Sequence, residues 1–413
     1  MKKDDLILKT ESINAKGLTP QFEDCIDSVL SLLKTAEFEG AFKYDVLSEN
    51  RCINRQLPWM DKKKKVFENA DMDRIIAVMQ KFGIRKASNV RSAMNIIFDE
   101  NQYNPFIEKL EKWDREVEPT GRFSTVTFFQ DFLGVTDCDY SRICSQMFFK
   151  SIIARNIYDV EFQYFLVIIG EQGIGKDTTL RKIIPSKDWL NGNYQFDNSA
   201  KNNVENAKGN ILCVLNDFNG FTDDEFTRFK AFISTSTPVA RISYKRKAVK
   251  HHLNCIFVAT TNNETIVPDQ AGNRRYLPLR CNPKARKFSP WQDLTIQTVK
   301  ELWVEAYRDF KQNNSLYAGA MFDNLASNER KKYFEQDPLE LAIDKFIHSD
   351  KILKDQSYTV LDIFNHIAYE LRLNNFSKSI SVRIGQILAK KENEFERKRT
   401  HGTRYFVFKG CDN

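Results

Sequence analysis

Apolar residues along the first 125 positions recur at helical spacing, with polar breaks between the segments. Over residues 71–83 they stand at i, i+3, i+4 and i+7, which predicts an amphipathic helix. Two more helices are predicted at 88–100 and 107–113. We therefore expect residues 1–125 to form an N-terminal helical region.

The middle of the chain has a different pattern, in which short apolar runs are bounded by glycine or polar residues. Such runs are typical of strands that are buried on both faces of a parallel sheet, and helical segments lie between the first two. The runs are YFLVII at 164–169, ILCVL at 211–215 and CIFVAT at 255–260. Residues 126–330 are predicted to form an α/β domain with a mostly parallel sheet.

The pattern changes again after residue 330. Three predicted helices are followed by two alternating segments and a turn at 400–403, which indicate a β-hairpin. The helices are predicted at 339–348, 360–371 and 381–392, and the strands at 394–399 and 404–408. Three helices followed by a hairpin predict a winged-helix-like domain over residues 335–413.

Composition limits the class of protein. At about 150 residues per domain, 413 residues correspond to two or three domains. The 62 basic and 55 acidic residues give a net charge of +7, which permits a polyanionic partner without requiring one. Eight scattered cysteines and five histidines suggest neither a disulfide framework nor a zinc site. Since no stretch approaches the ~20 apolar residues of a membrane span, we expect a cytoplasmic protein that does not use a membrane.

The most informative motif is 170-GEQGIGKDT-178, which follows the first predicted strand and begins a helix. In this position glycines let backbone N–H groups turn toward phosphate oxygens, and the lysine supplies positive charge to the β- and γ-phosphates. The motif predicts an ATP-binding loop in which Lys176 is catalytic. Its nucleotide-binding residues are Gly170, Gln172, Gly173, Ile174, Gly175, Lys176, Asp177 and Thr178.

One position of this loop departs from the common pattern. A serine or threonine normally follows the lysine and binds Mg²⁺, whereas this chain has Asp177. Thr178 lies about 100° further around the helix and cannot simply take over. Either Asp177 binds Mg²⁺ through its carboxylate, which we favour, or the metal site is impaired.

Polar residues follow the second and third predicted strands. Asp217 is predicted to bind Mg²⁺ and act in hydrolysis, and Asn262 is predicted to orient the attacking water. An ordinary strand-to-loop turn is the alternative for Asn262. The neighbouring Asp223 and Asp224 are explained by helix capping in 222-TDDE-225.

Two consecutive arginines, Arg274 and Arg275, follow a Gly–Asn turn in 272-GNRRY-276. A planar, permanently charged guanidinium is suited to stabilising γ-phosphate charge in the site of a neighbouring subunit. The alternative is a solvated charged turn.

Two basic segments are candidates for DNA contact. Residues 241–252 contain five lysines and arginines and no acid, and their alternation predicts a hairpin whose basic tip contacts a phosphate backbone. The DNA-binding candidates are Lys245, Arg246, Lys247 and Lys250 in this segment, and Arg397, Lys398 and Arg399 at the C-terminal hairpin. A solvated surface is the alternative for the first segment, and a protein-docking role for the C-terminal domain.

Together these residues resemble the virulence-associated protein E family, helicase-like ATPases of phages and phage-related islands that are allied to superfamily 3 helicases. The resemblance runs from about residue 47 to residue 279. Its motifs are LPW at 57–59, ENQYNP at 100–105, WD at 113–114, the loop at 170–176, Asp217, TTN at 260–262 and GNRRYLP at 272–278. Family members more usually carry serine after the loop lysine, and glutamates where this chain has Val214 and Asp217. These departures concern the rate of hydrolysis rather than nucleotide binding.

The resemblance implies an α/β P-loop NTPase core of the AAA+ or superfamily 3 helicase type. It also implies ATP-driven translocation on DNA by a homo-oligomeric ring, usually a hexamer, in the replication of a mobile element. Single-stranded DNA would occupy the ring channel, and duplex origin DNA would contact the winged helix. Because no primase domain fits into residues 1–125, we expect a primase partner to be a separate chain.

We therefore predict a DNA-dependent ATP hydrolase that acts as a helicase or translocase. Two other classes fit parts of the sequence. A nucleotide-switched DNA-binding initiator would bind ATP with weak or no motor activity. A P-loop phosphotransferase acting on a small molecule would leave the basic hairpin and the winged helix unexplained.

Overall fold

The computed structural model describes most of the chain, and these residues divide into two compact units. The larger unit contains the described residues within 1–264 and 274–329, and the smaller one contains those within 265–273 and 330–413. The described residues are 22–35, 37–57, 59–60, 66–240, 249–264, 273–316, 319–333, 338–349, 351–369, 371, 373, 375–400 and 403–410. The three domain boundaries expected from the sequence stay a prediction.

The first part of the larger unit combines helices with a small sheet. Its elements are α1 (Ile26–Leu33), β1 (Phe42–Asp45), β2 (Asn50–Ile53), α2 (Asn69–Lys81), α3 (Ala87–Glu100) and β3 (Gln102–Tyr103). The predicted helices at 71–83 and 88–100 are confirmed, but the region is not only helical as expected. β1 pairs antiparallel with β2 and parallel with the distant β3. Strands of two to four residues are too short for a recognisable alternation, and β3 depends on a partner remote in the chain.

Three helices precede the central sheet: α4 (Pro105–Glu116), α5 (Phe128–Leu133) and α6 (Asp139–Ile157). α4 begins at Pro105 because the side chain of Asn104 caps its first turn. α5 and α6 are separated at Gly134, which has φ = 68°. A Cβ at this position would lie 1.9 Å from the carbonyl oxygen of Asn282, so only glycine fits.

A five-stranded sheet forms the centre of the larger unit, in the order β10-β4-β9-β6-β5 with all neighbours parallel. Its strands are β4 (Phe165–Ile169), β5 (Leu190–Asn191), β6 (Leu212–Leu215), β9 (Ile256–Thr261) and β10 (Tyr276–Arg280), while β7 (Val239–Ala240) and β8 (Val249–Lys250) form a separate antiparallel pair. The three predicted strands and the parallel α/β class are confirmed. β5 and β10, at the two edges, were not expected from the sequence.

Helices cover both faces of this sheet. They are α6, α7 (Lys176–Ile183), α8 (Ala200–Ala207), α9 (Asp223–Ile233), α10 (Ile296–Gln312) and α11 (Gly319–Lys331). Leu166 and Ile168 belong to the same hydrophobic core as residues of α6 and α10. Phe165, which alternation places on the opposite face, contacts Phe229 of α9 with ring centroids 4.8 Å apart. Burial on both faces explains why the strands are continuously apolar.

The smaller unit has its own hydrophobic core, which includes Ile343, Ile363 and Ile384. Its elements are α12 (Pro338–Ile347), β11 (Ser357–Tyr358), α13 (Val360–Ile367), α14 (Lys378–Lys390), β12 (Phe395–Thr400) and β13 (Thr403–Phe408). The predicted helices and hairpin are confirmed. The two-residue β11 completes an antiparallel sheet in the order β11-β13-β12.

Two further features of the described residues agree with the composition. Their cysteines are free thiols, and most of these are buried. In the ranges given above, no helix combines the length and the apolar character needed to cross a bilayer.

A buried guanidinium connects the elements at the amino ends of the central strands. Arg155 of α6 donates to the carbonyl oxygens of Cys255 at 2.7 Å, Ile233 at 2.7 Å and Phe162 at 3.2 Å. These acceptors lie just before β9, at the end of α9 and before β4. Burial lowers the pKa of Arg155 to about 10, so the group remains charged at neutral pH.

We expect Arg155→Ala to lower the free energy of unfolding by at least about 3 kcal/mol, because it leaves three buried carbonyl groups without their donor. Urea denaturation measures this loss. The free energy of unfolding of Arg155→Lys should lie between those of the wild type and Arg155→Ala, since one ammonium group cannot reproduce the planar set of donors. As a control, Arg91→Ala should change stability by less than about 0.5 kcal/mol, because that side chain is exposed and its ion pair with Asp73 is long at 3.8 Å. Similar losses for Arg155→Ala and Arg91→Ala would contradict the assigned role.

Candidate functional site

The carboxyl ends of β4, β9 and β6 meet at one edge of the central sheet. Beyond the strands, the backbone N–H of Gly170 donates to Thr261 O at 3.0 Å, and that of Phe218 donates to Thr260 O at 2.9 Å. The predicted phosphate loop at 170–176, the 260–262 segment and the turn after β6 are therefore held side by side.

The loop between β4 and α7 contains two glycines with left-handed backbone conformations. Gly173 has φ = 81° and Gly175 has φ = 102°. A Cβ on Gly173 would meet nothing within 4 Å, whereas a Cβ on Gly175 would lie 2.8 Å from Pro290 Cγ and 3.1 Å from the indole of Trp291. Gly173 thus provides only the turn, while Gly175 also allows the close approach of the segment around Trp291.

Lys176 is half-buried and its ammonium group lies over its own loop. Nζ donates to the carbonyl oxygens of Gly170 at 2.5 Å and Glu171 at 2.8 Å. Burial lowers its pKa, while the nearby Cys281, Asp177 and Asp217 act in the opposite direction. The ammonium group therefore interacts electrostatically with both carboxylates that are predicted to bind the metal.

Thr260, at the end of β9, connects two of the polar side chains at this edge. Its Oγ1 lies 3.2 Å from Asp177 Oδ1 and 3.1 Å from Asn216 Oδ1, so two acceptors share one hydroxyl hydrogen. The Asn216 amide in turn donates to the carbonyl oxygen of Gly192. From the sequence, only Asn262 of the 260–262 motif was predicted to be a site residue. Thr260 lies beside Asp177 and Asn216 because β9 pairs between β4 and β6.

Asp217 occupies the turn directly after β6. Its φ is 49°, a left-handed conformation that aspartate and asparagine tolerate better than most residues with a side chain. The backbone bond of the next residue to β9 holds this turn, and the carboxylate of Asp217 is exposed. Asparagine is accordingly the replacement that best preserves the local backbone.

A cavity of about 580 Å³ lies at this edge and brings the predicted residues together. Its lining is Gln172, Gly173, Gly175, Lys176, Asp177, Thr178, Asp217, Thr260, Asn262 and Trp291. Of the predicted nucleotide-binding residues, Gly170 and Ile174 lie outside this lining. Thr260 and Trp291 line it as well but were not among the predicted site residues.

The donor chemistry of the cavity can be compared with the needs of Mg²⁺. Two carboxylates, Asp177 and Asp217, line it. Within the described ranges, no group of three or more His, Cys, Asp or Glu side chains could hold a metal ion. Mg²⁺ commonly takes one or two carboxylates and completes its shell with water and substrate phosphates, so the residues present fit this ion.

Arg274 and Arg275, which were predicted to act in the site of a neighbouring subunit, lie away from this cavity. They directly precede β10, whose Tyr276 pairs with Phe165 and whose Arg280 pairs with Ile169. The arginines thus lie at the amino end of the strand, about 16 Å along it from the edge that carries the loop. Arg274 is exposed, whereas Arg275 is partly buried, and Arg275 Nη2 lies 3.4 Å from Ser234 Oγ. Burial, followed by the charge of Arg274, lowers the pKa of Arg275.

Only the base of the predicted basic hairpin falls within the described residues. β7 and β8 pair antiparallel, with Val239 opposite Lys250, which is the pairing of a hairpin stem. Lys250 is exposed. Lys245, Arg246 and Lys247 lie outside the described residues.

A groove of about 760 Å³ in the smaller unit gathers arginines from its hairpin. Arg397 and Arg399 stand at alternate positions of β12, and Arg404 of β13 is the register partner of Arg399. All three line the groove together with parts of α13 and α14. Lys398 lies at the intervening position and forms an ion pair with Glu396 at 3.2 Å, so it is separated from the other two candidates.

The model of the virulence-associated protein E-like domain matches residues 107–335, more than half of the chain. The chain therefore belongs to this family, and the resemblance inferred from the motifs is confirmed. The matched range starts later than expected, so the motifs at 57–59 and 100–105 lie outside it. Membership connects the chain with replication-related proteins of phages and mobile elements.

Among solved structures, two apo structures of the NrS-1 C-terminal region are similar to this chain. Each has 14% sequence identity and covers 94% of this chain and 100% of its own, with TM-scores of 0.47 and 0.49. No curated protein matches the sequence.

The two loop glycines make a matched test of this geometry. Gly173→Ala should lower the free energy of unfolding by about 1–2 kcal/mol, the cost of a left-handed residue with a Cβ. Gly175→Ala should cost about 1–3 kcal/mol more, because its Cβ also meets Pro290 and Trp291. Urea denaturation of the two variants measures the difference, and equal losses would contradict the close approach at Gly175.

Proposed function

We propose that this protein is a Mg²⁺-dependent ATP hydrolase that acts on DNA as a helicase or translocase during replication of a phage or mobile element. The observation that carries the proposal is the cavity at the carboxyl edge of the sheet. It is lined by a phosphate loop with its lysine, by two carboxylates from different elements, and by Asn262. Phosphate binding, metal binding and placement of a water are the three requirements of nucleotide hydrolysis.

Each side chain has a role that follows from its position. Lys176 would exchange the carbonyl oxygens of Gly170 and Glu171 for phosphate oxygens. Charged oxygens stabilise a half-buried ammonium group more strongly than neutral carbonyl groups do. Asp217 and Asp177 would bind Mg²⁺, and their presence in one lining supports ligation by Asp177 over an impaired site. Mg²⁺ bound there would neutralise charge on the phosphate oxygens.

Water placement is proposed for Asn262, which is exposed to the cavity at the end of β9. Its amide can donate to or accept from a water molecule without taking up a proton. Thr260 would hold the Asp177 carboxylate through the hydrogen bond at 3.2 Å. At the end of β9, Asn262 would thus position the water, and Thr260 would position a carboxylate that binds the metal.

We expect Lys176→Ala and Asp217→Asn to abolish ATP turnover for different reasons. The first removes the cation for the β- and γ-phosphates, so nucleotide binding should also weaken. The second keeps the left-handed turn but replaces a carboxylate by a neutral amide that binds Mg²⁺ poorly, so ATP should still bind. Turnover is measured with and without single-stranded DNA, and binding by calorimetry.

The wild-type protein decides between the function classes in the same assay. Stimulation by DNA supports a motor. Bound ATP with turnover that DNA does not increase favours the nucleotide-switched initiator, and turnover indifferent to DNA together with a small-molecule acceptor favours a phosphotransferase. Normal turnover of Lys176→Ala would overturn the site assignment itself.

DNA contacts are proposed at two places. The predicted basic hairpin would contact single-stranded DNA through Lys245, Arg246, Lys247 and Lys250, since a cluster of basic residues without acidic neighbours binds phosphate backbones regardless of base sequence.

In the smaller unit, three helices and a three-stranded sheet have the element order of a winged helix. Arg397 and Arg399, joined by Arg404, would contact duplex DNA there, whereas the pairing of Lys398 with Glu396 favours the two arginines over this lysine.

In a homo-oligomeric ring, proposed as a hexamer, Arg274 or Arg275 of one subunit would reach the nucleotide site of its neighbour. We call this residue the finger arginine. The position of Arg274 and Arg275 at the amino end of β10 supports action in another chain, because they cannot reach the phosphate loop of their own. The exposure of Arg274 favours it over the partly buried Arg275.

Mixing inactive variants tests this arrangement. Arg274→Ala should bind ATP normally but hydrolyse it ~10³-fold more slowly or worse. Mixed with Lys176→Ala, it should recover part of the activity, because some interfaces join an intact loop to an intact finger. Co-expression with two tags ensures that mixed assemblies form.

Arg275→Ala serves as the matched control in the same experiment. Recovery with Arg275→Ala but not with Arg274→Ala would transfer the role to Arg275. Mixtures that stay inactive for both arginines would contradict action across subunits.

A further inference from the structure

Trp291 is a large apolar residue that lies at the mouth of the cavity with 46% of its surface exposed. Its ring carbons Cη2 and Cζ2 would stand 3.1 and 3.2 Å from a Cβ on Gly175, so the indole lies directly against the phosphate loop. An exposed indole beside a polar cavity is not explained by core packing.

Three interactions connect Trp291 with the loop and with α7. The guanidinium carbon of Arg286 lies 5.1 Å from the ring centroid of Trp291, within the range of a cation–π interaction. Arg286 Nη1 also donates to the carbonyl oxygen of Ile174 at 3.2 Å, which ties it to the loop. The ammonium of Lys182 in α7 donates to the carbonyl oxygen of Trp291 at 2.6 Å. Arg286 thus connects the ring with the loop, and Lys182 connects the backbone of Trp291 with α7.

The rest of the cavity lining has the chemistry of phosphate and metal binding. Lys176, Asp177, Asp217, Thr178 and the glycine backbone can bind charged oxygens, and none of these groups offers an aromatic surface. A nucleotide carries a planar heterocycle at the opposite end from its terminal phosphate, and stacking on an aromatic side chain is a common way to bind such a ring.

We infer that Trp291 is the stacking platform for the base of the bound nucleotide, held by Arg286 and Lys182. The inference rests on the proposed function, in which the loop binds the phosphates. It assigns nucleoside triphosphates, rather than inorganic polyphosphate or a phosphorylated small molecule without a base, as the ligands of this cavity.

The test compares two ligands that share phosphates and differ in the base. Calorimetry of the full chain with Mg²⁺ measures the affinity for ATP and for inorganic tripolyphosphate. Trp291→Ala should weaken ATP binding by about 5- to 100-fold, the range expected for loss of one base–aromatic contact. Tripolyphosphate binding should change by less than about twofold. Trp291→Phe should retain most of the ATP affinity, because it keeps an aromatic face.

Tyr158→Ala is the matched control, since this aromatic side chain is 50% exposed and does not line the cavity. It should change neither affinity. Unchanged ATP binding by Trp291→Ala would overturn the inference, and so would an equal loss for both ligands, which would make Trp291 only a support for the loop. If wild-type protein binds neither ligand, or Lys176→Ala binds both as well as wild type, the proposed function itself fails and the inference with it.

Discussion

The pairing of β9 between β4 and β6 is the constraint on which the rest of the site depends. Backbone bonds from Gly170 and Phe218 to Thr261 and Thr260 hold the loop and the turn of Asp217 against this one strand. At the other end of the strands, the guanidinium of Arg155 bonds the chain before β4, before β9 and at the end of α9. A shift of β9 by one residue would reverse its side chains and separate the predicted ligands.

Charges of both signs lie close together at this edge of the sheet. Lys176 is half-buried and bonded to carbonyl groups of its own loop, while two carboxylates lie near it. The two carboxylates act on the pKa of this ammonium group in the direction opposite to its burial. In the proposed function the ammonium group would bind phosphate oxygens and the carboxylates would bind Mg²⁺.

The candidate functional residues of this protein come from elements that are far apart along the chain. The cavity is lined by residues from the loop after β4 to the segment before α10, and the smaller unit has its own arginine-lined groove. The family match at 107–335 covers the cavity but not that groove. The proposed DNA contacts of the smaller unit therefore rest on its own element order and charge.

The sequence by itself determined the elements whose signals are local. The helices at 69–81 and 87–100 follow apolar spacing, the three central strands follow continuous apolar runs, and the phosphate loop follows its glycines and lysine. Only the tertiary structure decided what depends on distant partners: the short strands β1 to β3, the edge strands β5 and β10, and the strand order. That order brought Thr260 to Asp177, Trp291 to Gly175, and Arg274 to the opposite end of the sheet from its own loop. No local pattern encodes these distances, because they arise from parallel pairing between segments separated by helices.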